Sequence, residues 1–152
     1  MGRNGGVDFR DWERLKENLE ATDEQLNLFI ESCAKELAAR LLAKVIKRTP
    51  VGQYPSSSGK MGGTLRRNWT AGKAASDYAQ SLRVNHFGDT YVIEIVNPTE
   101  YASYVEFGHR TRNHEGWVQG KFMLTISEQE IAAAAPAILE RKIRKKLGDC
   151  FG

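Results

Sequence analysis

Between residues 26 and 46 apolar side chains return every three or four positions: Leu26, Ile30, Cys33, Leu37, Leu41 and Val45, with Leu42 and Ile46 widening the stripe. Only an α-helix gathers residues at that spacing on one face. Thr22-Asp23-Glu24-Gln25 fits a capping box at its start, with the Thr22 hydroxyl accepting the Gln25 N–H and the Gln25 side chain reaching back. Lys44, Lys47 and Arg48 suit the negative end of the helix dipole, and Thr49-Pro50 stops the helix. The spacing predicts a helix over 23–48, about 39 Å long. Everything else in the chain has to provide something to cover that stripe.

The 152 residues are enough for one domain with its own core. We read 1–21 as a helical extension (Trp12, Leu15 and Leu19 at helical spacing), 22–147 as the core and 148–152 as a tail. No apolar run approaches the roughly 20 residues a membrane helix needs. The N-terminus, MGRNGGVDFRDW, lacks the apolar segment of a secretory signal. This predicts a chain made and kept in a cytoplasm unless a larger assembly carries it out. In that setting Cys33 and Cys150 are expected as a core thiol and a tail thiol, not a disulfide. The net charge of +3 hides alternating blocks, net −4 over 1–31, +8 over 32–73, −4 over 74–135 and +3 over 136–152. Such blocks suit docking against other proteins or copies of the same chain; solvated helix faces would give the same pattern.

Beyond Pro50, residues 49–63 (TPVGQYPSSSGKMGG) read as a long loop carrying Tyr54, and Thr64-Leu65-Arg66-Arg67-Asn68-Trp69-Thr70 follows it. Residues 82–97 read as a β-hairpin turning at Phe87-Gly88-Asp89-Thr90. Its second strand should place Tyr91, Ile93 and Ile95 on one face and Val92, Glu94 and Val96 on the other, and end at Pro98. Thr99 is the expected cap of a short helix that buries Tyr101, Tyr104, Val105 and Phe107 and ends at Gly108, with an extended YASYVEF as the alternative. A second loop, 108–120, precedes a C-terminal helix in which Pro136 kinks or restarts the helix and Leu139, Ile143 and Leu147 make an apolar line. The fold class is α+β: a small antiparallel sheet against a long N-terminal and a C-terminal helix, with two long flexible loops.

These residues admit four chemistries. Glu106, His109, His114 and Glu115 contain metal-ligand types, but His109 and His114 are five apart, which is not the i, i+4 spacing of a zinc-protease helix, and a glycine-flanked loop holds ligands poorly. Ser56, Ser57 and Ser58 lack a G-x-S-x-G elbow, so no catalytic residue is assigned and no enzyme activity is expected. Arg66, Arg67 and Trp69 combine cations with a stacking surface, which makes a nucleic-acid-binding module the alternative; a basic end at Arg141, Lys142, Arg144, Lys145 and Lys146 is more simply a solvated helix face. The fourth reading is an assembly arm. Tyr54, Arg66, Arg67, Trp69, His109, Arg110, Arg112, His114 and Trp117 are its candidate contact residues, since Trp, Tyr and Arg dominate interface energies. Gly108, Gly116 and Gly120 are expected to keep the second arm mobile until it docks.

Three segments also resemble motifs of one family. Thr49-Pro50-Val51-Gly52 followed by Gly63-Thr64-Leu65-Arg66-Arg67-Asn68-Trp69 is similar to a TPV…LRxxW segment, lengthened here by an insert over 53–62. Tyr101-Ala102-Ser103-Tyr104-Val105-Glu106-Phe107-Gly108 resembles a Tyr-Ala…Val-Glu-Phe-Gly run, and Trp117-Val118-Gln119-Gly120-Lys121-Phe122-Met123-Leu124 a WVxGxxML segment. All belong to the tail-completion, or head–tail joining, proteins of long-tailed bacteriophages, and the resemblance covers about 22–147. It implies a virion protein of the tail and neck, built in the bacterial cytoplasm and assembled as a ring, typically a hexamer, at the top of the tail tube. The implied partners are further copies of itself, tail tube and tail terminator proteins, and neck or connector proteins, with DNA met inside the channel if at all. It implies no cofactor, no metal, no membrane and no catalytic residue.

Overall fold

The computed structural model describes residues 9–52, 56–59 and 62–151. Helix α1 runs from Phe9 to Arg48, 40 residues, roughly 60 Å at the α-helical rise. It is longer than the periodicity predicted because Thr22-Asp23-Glu24-Gln25 lies inside it: the capping box is overridden and the helix passes straight through. Ser, Thr and Asp are only weakly unfavourable within a helix, so an uninterrupted run of good formers on both sides decides the outcome. The stripe itself is half used. Cys33, Ala38, Leu42 and Val45 are buried, whereas Leu26 and Leu28 lie on the surface.

Four short elements close over the C-terminal half of α1. They are α2 (Thr64–Asn68), α3 (Ala75–Ser81) and the hairpin of β1 (Asn85–Phe87) and β2 (Thr90–Val92), paired antiparallel with Asn85 opposite Val92 and Phe87 opposite Thr90. His86 stacks on Tyr91, ring centres 4.2 Å apart, and the Tyr91 hydroxyl donates to Asn27 Oδ1 on α1. Past Val92 the chain stays extended and the expected alternation holds: Tyr91, Ile93 and Ile95 are half-buried towards α1, while Val92, Glu94 and Val96 face out. The ladder stops at Val92, so the sheet is shorter than predicted.

Then come α4 (Ala102–Phe107), a ribbon of β3 (Gly108–Arg110) and β4 (Trp117–Gln119), and α5 (Met123–Phe151). Helix α5 lies against α1 and runs through Pro136 without ending. Its inward line is Met123, Ser127, Ile131 and Ile138; the predicted line is wrong, since Ile143 and Leu147 are about half exposed. The core gathers Ala38, Leu42 and Val45 of α1 with Leu65, Trp69, Ala79 and Met123. The α+β class is as expected, with the sheet divided into two separate two-stranded pieces. One of the two predicted loops, 108–120, is a paired ribbon. Of the other, the described parts show its ends meeting. A Cβ on Gly62 would lie 1.9 Å from the Gly52 carbonyl oxygen, so the chain leaves and returns at one point.

Candidate functional site

Thr49, the last residue before Pro50, organises the region. It is fully buried at the end of α1. Its hydroxyl donates to the Val45 carbonyl at 2.6 Å and accepts the Trp69 Nε1–H at 2.8 Å. Its carbonyl accepts twice from Arg66, from Nε at 3.1 Å and Nη2 at 2.7 Å. The guanidinium thereby satisfies a carbonyl that the helix end leaves without a partner, and places positive charge at the negative end of the dipole. This corrects the reading of Arg66, Arg67 and Trp69 as a surface patch. Trp69 is 3% exposed and offers no ring face to a base, and the Arg66 fork is committed inward. Arg67 alone of the three is exposed, and it bonds the Gly62 carbonyl at 3.2 Å. Asn68 donates to the Thr99 hydroxyl at 2.8 Å and Asn97 to the Leu65 carbonyl at 2.8 Å, tying α2 to the segment that leads into α4.

Helix α4 inverts the expected burial. Tyr101, Tyr104 and Phe107 are 43%, 58% and 60% exposed, Val105 is half-buried, and Glu106 is the buried residue. Thr99 is not the cap expected: Tyr101 stands at the N-cap with no side-chain bond, the Thr99 carbonyl accepts the Ala102 N–H at 3.1 Å in the turn before it, and the Thr99 hydroxyl accepts from Asn68. The Glu106 carboxylate sits at the start of α5. Oε1 accepts the Leu124 N–H at 2.8 Å, and Oε2 accepts the Thr125 N–H at 2.9 Å and the Thr125 hydroxyl at 2.6 Å. An anion at a helix N-terminus, taking N–H groups that have no partner within the helix, is the arrangement that makes burying a lone carboxylate affordable. Sequence reasoning missed this role because Glu106 and α5 are joined only through the ribbon; the one signal was an acid inside an apolar run.

The ribbon leaves at Gly108, whose φ of 89° is the left-handed region that glycine tolerates. A Cβ there would meet the Val118 carbonyl oxygen at 2.5 Å, and one on Gly120 the Glu106 carbonyl oxygen at 2.4 Å. Both glycines thus permit close backbone approach. Lys121 and Phe122 then donate back to the Val105 and Glu106 carbonyls at 2.8 and 3.0 Å, clamping the ribbon base onto α4. The tip is also tied: Thr111 N–H donates to Gly116 O at 3.0 Å, and the Thr111 hydroxyl accepts the Gly116 N–H at 2.9 Å. Gly108 and Gly120 thus do more than free the backbone: they let the ribbon base pack closely onto α4. His109 packs on Tyr104 (5.8 Å between ring centres), and its Nδ1 is buried without a hydrogen-bond partner among the described residues. Arg110, Arg112, His114 and Trp117 are exposed, Trp117 by 59%, as is Val118 by 43%. Tyr54 lies outside the described residues. The ligand types Glu106, His109 and His114 are not brought together, and among the described residues no three such groups could hold a metal ion.

The basic C-terminal face is largely tied up along α1 and α5. Lys142 pairs with Glu36 at 2.7 Å, Arg144 with Glu140 at 2.7 Å, and Lys146 Nζ lies 6.0 Å from the Phe29 ring centre. Nearer the core, Arg48 donates from Nη2 to both Glu130 oxygens and from Nη1 to the Ser127 hydroxyl, and Lys44 joins Glu130 as well. The Arg48 hydrogen bond holds the Glu130 carboxyl below its ordinary range, and the Lys142 bond does the same for Glu36. Burial pushes the Cys33 thiol up, which suits an inert core residue.

An α+β chain whose motif residues are spent on internal joints, and which exposes Tyr104 and Phe107 on α4 and Trp117 on a clamped ribbon, fits a structural component better than a reaction centre. Comparison with known families agrees. Residues 13–108 match the HK97-gp10-like family, described as "Bacteriophage HK97-gp10, putative tail-component". The chain belongs to this family and is a phage tail component, a virion protein that works among other tail proteins. The match reaches back into the N-terminal segment that the motif resemblance left out, and ends at Gly108, before Trp117–Leu124. No curated relative and no solved structure matches the chain.

Proposed function

We propose that the protein is a tail-completion protein that joins tail to head, assembling as a ring at the top of the tail tube, with the single domain 1–152 as its subunit. The observation that carries this reading is the exposed ribbon. Trp117, Val118, Arg110 and Arg112 stand on a stem fixed to α4 by backbone bonds, and large exposed aromatics beside arginines are the composition of interface anchors. The tail-family match supplies the setting. Its partners are further copies, the tail tube and terminator proteins, and the neck or connector. The test is a phage lacking the gene, examined by electron microscopy. Full capsids and finished tails that fail to join are expected, with joining restored by the intact gene in trans. Normal infectious particles would overturn the reading.

A further inference from the structure

A groove of about 350 Å³ opens beside the ribbon base. Its walls are Ile95 and Val96 from the extended segment after β2, Phe107 from α4, and Met123 and Leu124 from the start of α5, with Trp69 at the floor. Val96 is 55% exposed and Phe107 60%. The segment along its edge is a strand with no ladder: among the described residues the backbone of Ile93–Val96 has no hydrogen-bonded partner strand. An unpaired extended edge beside an apolar groove takes an extended segment by strand addition, with alternate side chains entering the groove.

The same chain carries a segment of that description. Strand β4 is extended, has β3 on one side only, and exposes Trp117 and Val118. It does not fill its own groove. Neither residue is among the groove's walls, and Trp117 Nε1 lies across its own ribbon base, 2.9 Å from where a Gly108 Cβ would be. Charge separates the two surfaces in a complementary way. Residues 84–107 contain Asp89, Glu94, Glu100 and Glu106 and no lysine or arginine, and exposed Glu128 adds to the groove rim. The stretch 108–121 contains Arg110, Arg112 and Lys121 against Glu115 alone.

We propose that the occupant of the groove is the ribbon of a second copy: Trp117 and Val118 of one subunit enter between Val96 and Phe107 of the next, and Arg110 and Arg112 meet Glu128 at the groove and the exposed Glu94 and Glu100 of the segment that borders it. This rests on the ring-assembly reading and gives it a contact. Ribbon and groove are different surfaces of the chain, so the contact is head-to-tail, the kind that generates a ring when its rotation closes.

Disulfide trapping between copies tests it. Ser103→Cys on the groove wall and Gln119→Cys on β4 are made separately in full-length chains with Cys33→Ala and Cys150→Ser. Each is oxidised alone and mixed with the other, at concentrations where light scattering reports oligomers and in purified tails. A covalent dimer in the mixture, and in neither variant alone, is expected. Trp117→Ala should weaken self-association roughly 30-fold. Chains carrying Arg110→Glu with Arg112→Glu, and chains carrying Glu94→Lys with Glu128→Lys, should each fail to associate alone and recover when mixed. Oligomers that form without the trapped dimer, or a trapped product with the mass of a different tail protein, would overturn the ribbon-in-groove contact while leaving the ring reading intact. Absence of oligomers in solution and in tails would overturn both.

Discussion

Thr49, Trp69 and Arg66 show how a motif that reads as surface chemistry can be internal. The Thr49 side chain has one hydroxyl and uses it both ways, donating to Val45 and accepting from Trp69. Thr49→Val keeps the shape and removes the acceptor, leaving the indole N–H buried and unpaired. A loss of about 1–3 kcal/mol in urea unfolding is expected. Trp69→Phe, which also leaves a cavity, should cost less in the Thr49→Val background than in the native one, because no indole N–H is then left unpaired, and a double-mutant cycle reads that difference. Glu106 is the second residue of this kind. Glu106→Ala removes three bonds to one carboxylate at the head of α5, and a cost on the order of 2–3 kcal/mol is expected by the same measurement. If instead the variant kept full stability, the capping account of Glu106 would fail. Of the residues singled out from sequence, Arg110, Arg112, His114 and Trp117 are on the surface as an arm requires, while Arg66 and Trp69 are not. Nothing local separates the two groups: Trp69 and Trp117 both sit near arginines and glycines, and only the identity of what packs against them makes one core and the other exposed.

Among the elements, the ribbon and the α1–α5 pair make the sharpest claims. Gly120→Ala would drive a methyl into the Glu106 carbonyl oxygen at the ribbon base. Overpacking of this kind costs about 1–3 kcal/mol, and since the contact is backbone to backbone the strand must shift. The ribbon amides of Lys121 and Phe122 should then lose protection in hydrogen exchange before the core does. Between the long helices, the Glu130 carboxyl is held low by Arg48 and Lys44. A depressed carboxylate contributes stability that is present above its unfolded value, about 4.3 for glutamate, and is lost as pH falls through the lower folded value. Glu130→Gln should therefore lower stability at neutral pH and flatten the acid limb below about pH 4 in a pH series of thermal melts. The elements were mostly legible beforehand: α1 from its stripe, the hairpin from Gly88-Asp89 between β-prone runs, α4 from its glycine stop. The start of α1 was not, because a capping box is a local preference of about 1 kcal/mol that continued helix outweighs. The ribbon was not either, since its pairing is held by backbone clamps from Lys121 and Phe122 that composition does not announce.

At the scale of the whole molecule, apolar surface is distributed unevenly. One half of α1 is covered by α2, α3, the first hairpin and α5, while Leu26, Leu28, Val96, Phe107, Trp117, Ile143 and Leu147 stay largely exposed. Removing residues 109–118 and joining Gly108 to Gln119 should leave α1, α5 and the core in place, read by far-ultraviolet circular dichroism, and abolish head–tail joining in complementation of the deleted phage. Restored joining would sink the assignment of assembly to the ribbon. The sequence by itself determined the long helix, the alternation along Tyr91–Val96 and the tail-family membership, because periodicity and motif order are properties of the chain written out in one dimension. Only the tertiary structure decided that Thr49, Arg66 and Trp69 are a joint, that Glu106 caps α5, and that Trp117 stays outside. Each of these depends on which distant group arrives to satisfy a buried donor, acceptor or charge, and that partner is chosen by packing, many residues away along the chain.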